Sequence, residues 1–171
     1  MNELRTHSAH GLTLVELMVT LALFAFLMLI GLPLTRAWVQ SAHQRDASGM
    51  LIEGLGRAKA LAMRNPQGFT NQSLPVAVAC LVAGQISVVA VGTSGVDCSQ
   101  TSDWDAQLPT DASVVQAGNG LVFQCAAYNE RGIALAVSVG NMTCTPSSLN
   151  NTQSSLNIND GDLNALNVPL P

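Results

Sequence analysis

Histidine runs out early in this chain. His7, His10 and His43 are the three present, so no Ser-His-Asp or Cys-His arrangement can form in the C-terminal part. Basic residues run out almost as soon. After Asn65 one cation, Arg131, stands against seven acids: Asp97, Asp103, Asp105, Asp111, Glu130, Asp160 and Asp162. A surface of that sign repels phosphate backbones, which disfavours nucleic acid as a partner. The four cysteines, Cys80, Cys98, Cys125 and Cys144, lack zinc-ligand spacing, and the histidines all lie elsewhere in the chain. Neither a metal nor another cofactor is expected. Asp103 and Asp105 could act as paired carboxylates, but a solvated loop is the plainer reading of them. No enzyme is expected. Internal repeats are missing too, which excludes a solenoid.

Aromatic residues (4%) and charged residues (11%) are both scarce. What fills the chain beyond Pro66 is Val, Ala, Ser, Thr, Asn and Gly, with apolar runs recurring throughout. That pattern excludes disorder and reads as short strands joined by polar turns. The stretch is long enough for one core. Pro75–Leu81 and Gln85–Val91 predict a hairpin turning at Ala83-Gly84. Gly92–Thr110 reads as loop. Ser113–Ala117, Leu121–Ala127 and Ile133–Val139 read as strands, with turn signals at 118–120, 129–132 and 140–141. Short strands are expected near Leu156 and Leu166.

The N-terminal third is organised differently. After a short polar stretch, Leu12–Leu34 forms an apolar run of about 23 residues, about 34 Å as a helix and enough to span a bilayer. No small-x-small cleavage site follows it, so it is not a removed secretory signal. Gly31 and Pro33 near its end predict a kink or local melting. Trp38, Ala42, Ala47, Leu51, Leu55, Ala58 and Ala62 then recur at helical steps, so the helix continues in amphipathic form to Asn65-Pro66. Arg5 on one side and Arg36 and Arg45 on the other leave the positive-inside rule undecided. Two disulfides, expected for an exported chain, place the C-terminal side outside the cytoplasm. Three pairings are open. The sequential one is preferred, and each of its loops of about 20 residues would contribute about 3 kcal/mol.

One acid interrupts this economy. Glu16 sits within the apolar run, where a carboxylate costs about 2.5–3.5 kcal/mol at a membrane helix centre and calls for a partner.

Gly11-Leu12-Thr13-Leu14-Val15-Glu16-Leu17 resembles the class III leader junction of type IV pilins and type II secretion pseudopilins. The resemblance implies that prepilin peptidase cuts between Gly11 and Leu12 and methylates the new amino terminus on Leu12. Leu12 stands where the family usually has phenylalanine. Glu16 falls at the family's fifth position after the cut, and Pro33 matches its helix proline. Glu16 would then pair in the filament with a neighbour's amino terminus, or else with its own first turn. Ala47–Asn65 is similar to the helix end of the GspH/FimT (FimU-like) group of minor pilins and pseudopilins.

The implied fold is α+β, with a long N-terminal helix packed on a mostly antiparallel β head. The implied segments are a leader (1–11), a membrane and assembly half-helix (12–34), an amphipathic half-helix (35–65) and a disulfide-bonded head (66–171). The expected role is a minor pilin near a type IV pilus tip, serving twitching motility or adhesion. A GspH-type pseudopilin of type II secretion is the alternative, and a DNA-uptake (competence) pilin is the lesser one. Implied partners are major and minor pilins, prepilin peptidase and the inner-membrane assembly platform. The expected location is the inner membrane with the head in the periplasm, then the cell-surface pilus. Some pseudopilins bind calcium near the C-terminus. Asn157-Ile158-Asn159-Asp160-Gly161-Asp162 offers alternating oxygens, but few carboxylates and a common turn sequence, so calcium is the weaker reading.

Overall fold

A single threonine starts the long helix and a single asparagine ends it. The computed structural model describes residues 13–92, 95, 97–117, 120–144, 155–161 and 164–170. Helix α1 spans Leu14–Arg64, 51 residues. At its end Asn65 adopts a left-handed φ of 44°. Its amide donates to the Leu61 and Ala62 carbonyls, and its side chain brackets Phe69, donating to the carbonyl at 2.7 Å and accepting from the amide at 2.8 Å. Asparagine tolerates that conformation, and Pro66 cannot continue the helix, so the stop expected at Asn65-Pro66 has a physical basis. Helical structure continues through Gly31 and Pro33, so the local melting expected there does not occur.

The chain divides into two units between Trp38 and Val39. The first contains the apolar part of α1. In the second, the rest of α1 packs on sheet. Its buried stripe is Gln44, Ala47, Leu51, Leu55, Ala58 and Ala62. Ala42 and Trp38, assigned to this stripe from sequence, are exposed. The step from Ala42 to Ala47 is the cause: five residues at about 100° each overshoot one face, which puts Ala42 opposite Leu51.

All ladder pairings among the described strands are antiparallel. A five-stranded sheet runs β3 (Trp104–Gln107), β2 (Gln85–Ala90), β1 (Ala77–Val82), β5 (Cys125–Tyr128) and β6 (Ala134–Leu135). A three-stranded sheet runs β10 (Leu166–Pro169), β9 (Ser155–Asp160) and β4 (Ala112–Gln116), and β7 (Ser138–Val139) pairs with β8 (Met142–Thr143). The fold is α+β. The β1–β2 hairpin turns at Ala83 and Gly84, with φ of 50° and 79°, the twist that a two-residue connection needs.

Several strand expectations need correction. Gly92–Thr110 contains β3, which the acid in Trp104-Asp105-Ala106-Gln107 disguised as loop. Of Leu121–Ala127 only the end enters β5, and Leu121 and Val122 are exposed. Ile133–Val139 breaks into β6 and β7.

Alternation along β1 builds two cores. Ala77 and Ala79 face the helical stripe with Ile86, Val88, Ala126, Tyr128, Leu156 and Ile158, while Val78 and Cys80 face a second cluster with Val91, Cys125, Ala127, Val139 and Cys144. Burying one such leucine or isoleucine contributes about 1.5–3 kcal/mol. At Gly54 helix and sheet meet closely: an added Cβ would lie 2.6 Å from Ile86 Cδ1 and 3.0 Å from Trp104 Cζ3.

Candidate assembly site

The first turn of α1 is built from Thr13-Leu14-Val15-Glu16. Thr13 Oγ1 accepts a hydrogen bond from the Glu16 amide at 3.2 Å, and the Leu17 amide donates to the Thr13 carbonyl. Thr13 is thus the N-cap and Glu16 the third helical residue, the spacing of a capping box. A negative charge there also suits the positive end of the helix dipole. The pattern Thr-x-x-Glu was readable in the sequence, but the reading of Glu16 as an acid in membrane overlooked it. Gly11 and Leu12, the cleavage pair, lie outside the described residues.

Beyond the first turn α1 is an uncovered apolar rod. Residues 14–31 are exposed throughout, and the helix is long and apolar enough to cross a membrane. Its one other polar side chain before Pro33 is masked internally: the Thr20 hydroxyl donates to the Leu17 carbonyl at 2.9 Å. A hydroxyl satisfied this way leaves no free donor facing lipid. Gly31 opens a shallow concavity of about 340 Å³ lined by Phe24, Leu27, Met28, Gly31 and Thr35. Apart from its chain neighbours and its own helical backbone, nothing among the described residues lies within 4 Å of a Cβ added at Gly31. The rod therefore presents a notch rather than a smooth cylinder, a shape that admits a side chain from a neighbouring helix.

In the second unit the disulfides are Cys80–Cys98 and Cys125–Cys144, with Cα separations of 5.9 and 4.4 Å. They follow the sequential order. The first ties the loop after β2 to β1, and the second ties β5 to the segment after β8. Cys80, Cys125 and Cys144 are buried, and Cys98 is half-buried.

Two further clusters fasten α1 to the sheets, and neither was read from the sequence. Buried Gln44 donates through Nε2 to the Ile158 carbonyl at 2.7 Å and the Asn164 carbonyl at 2.8 Å. Beside it Asp160, 1% exposed, lies 3.6 Å from His43 Nδ1. Further along, Arg57 pairs with Glu53 at 2.7 Å and lies over the Trp104 ring at 5.2 Å. Gln44 shares the phase of Ala47, Leu51 and Leu55, and that was the available signal. The carbonyls it meets are about 115 residues away in the chain, so no local pattern pointed to them.

Asp103 and Asp105 flank Trp104 at the start of β3, at the edge of the five-stranded sheet. Both are exposed, and Asp105 accepts from Gln85 Nε2 at 2.9 Å. Residues 157–160 lie in β9, where Asn157 and Asn159 point to one face and Ile158 and Asp160 to the other. The oxygens suggested for calcium therefore diverge, and Asp162 lies outside the described residues.

A capped helix start bearing one acid, an exposed span-length apolar helix and an antiparallel disulfide-bonded domain fit a type IV pilin-like protein. The family model described as the prokaryotic N-terminal methylation motif matches residues 6–32. The match supports a type IV pilin-like protein, pilin or pseudopilin, processed by prepilin peptidase and anchored in the membrane before assembly. No curated protein and no solved structure matches the chain.

Proposed function

We propose that this chain is a minor pilin of the GspH/FimT group, built into a type IV pilus at or near its tip, where it helps prime assembly. The observation that carries this reading is Glu16, exposed in the first turn of an otherwise uncharged rod and four residues beyond the expected new amino terminus on Leu12. Cleavage after Gly11 creates an ammonium group at the depth of Glu16. Paired between neighbouring subunits, the two charges offset each other's desolvation and fix the axial register of one helix against the next. The role is structural and not catalytic. Before assembly the head is periplasmic; afterwards it is displayed on the cell surface.

A deletion strain tests the assignment. Loss of surface pili and of twitching, with exoprotein secretion intact, is the expected result. Normal piliation with lost secretion would assign the chain to type II secretion as a GspH-type pseudopilin. Tight, salt-sensitive DNA binding by the folded protein would favour DNA uptake, which the acidic head argues against.

A further inference from the structure

We propose that Trp38 is a lipid-interface anchor that fixes how deep the helix sits in the membrane before the subunit is drawn into a filament. The proposal rests on the reading of residues 12–34 as a membrane span.

Trp38 is 74% exposed. A lone exposed apolar side chain is ordinary on a protein surface, so exposure does not carry the argument. Position does. From Thr13 to Trp38 the helix rises about 37 Å at 1.5 Å per residue, a hydrocarbon core of about 30 Å plus part of one headgroup layer. With the capped first turn at one membrane boundary, the indole arrives at the other. It falls neither in the hydrocarbon nor in bulk water.

The chemistry of the neighbourhood suits that layer. Indole has a broad apolar body and one N–H donor, and it partitions to the headgroup level where both are served. Arg36, the first charge after Glu16, stands two residues earlier, and its long stem can carry the guanidinium out to lipid phosphate. The other aromatics of α1, Phe24 and Phe26, lie mid-run, where a ring without a donor belongs. Trp38 is the one tryptophan of the helix, and it stands at the end of the span. The anchor therefore acts at one boundary and Glu16 at the other.

Depth-dependent fluorescence quenching tests this on the full-length protein in vesicles of phosphatidylcholine and phosphatidylglycerol. In a Trp104→Phe variant Trp38 is the sole emitter. Subtracting the spectrum of Trp38→Phe from that of the unmodified protein gives the same signal with the head untouched. The expected result is a blue-shifted emission, quenched more by lipids brominated near the headgroup than by lipids brominated deep in the chains. A companion variant, Phe24→Trp with Trp38→Phe and Trp104→Phe, reads the span itself and should be quenched by the deep bromines. Quenching in the companion with water-like, unquenched emission from Trp38 would overturn the anchor and leave the span standing. Blue-shifted Trp38 emission that neither lipid quenches would mean that protein covers the ring, and would overturn it too. An unquenched companion would remove the span and the proposal together.

Discussion

Tyr128 is the residue whose environment conflicts most with its chemistry. Its hydroxyl is buried without a hydrogen-bond partner among the described residues, and burial pushes its pKa up from the ordinary 10.0. The unfolded chain therefore ionises first. This contribution to stability is complete below about pH 10 and is lost as the pH climbs through the folded value. Tyr128→Phe removes an unsatisfied donor that costs about 1–3 kcal/mol. It should leave the neutral-pH stability equal or higher and flatten the alkaline loss, as read by urea melts between neutral pH and about pH 11. Gly54 is the opposite case, where the space is already full. Gly54→Ala drives a methyl into Ile86 and Trp104, and the expected cost is about 1–3 kcal/mol in the same melts.

The helix carries two kinds of instruction, one for its start and one for its faces. At the start, substituting Gly11 with a bulkier residue should block processing, seen as an unshifted band on a gel. Glu16→Ala should still be cut but should incorporate poorly into filaments; normal incorporation would refute the pairing. Thr13→Val should lower helicity at the first turn, since losing such a cap costs about 0.5–2 kcal/mol. Amide exchange of the first-turn residues would show it. The stop at Asn65-Pro66 and the hairpin at Ala83-Gly84 were legible because each is a local requirement on φ. The phase of the buried face was not legible at its beginning. An alanine at position 42 looks like core, and only the sheet decides which side of the helix is covered. Leu121 and Val122 show the same limit in a strand: Val122 bridges Val115 and the Leu121 carbonyl accepts from the Gln116 amide, yet both side chains stay exposed, which no local pattern announces. At the candidate site Glu16 was plain from the sequence, while Gln44 and Asp160 depended on a strand more than a hundred residues away.

At the scale of the molecule, stability is divided between packing and cross-links. The two disulfides close loops of similar size, with separations of 18 and 19 residues, so their effects on unfolded-chain entropy are alike, about 3 kcal/mol each. They differ in surroundings. Cys125 and Cys144 are both buried in the second core, whereas Cys98 is half-buried. Replacing Cys125 and Cys144 together by serine should therefore cost more than replacing Cys80 and Cys98, because two polar groups enter apolar surroundings instead of one. Thermal melts of the two double variants would rank them.

The buried stripe of α1 and the Gln44 hydrogen bonds have a mechanical meaning. A pull along the helix axis does not peel β-strands from an edge one bond at a time. It loads Ala47, Leu51, Leu55, Ala58 and Ala62 together in shear against the sheet, with Gln44 sharing that load where the helix first meets the strands. Shear across many contacts at once resists rupture far better than sequential unzipping. Within the second unit the sheets are therefore joined to the helix in a geometry that resists an axial pull.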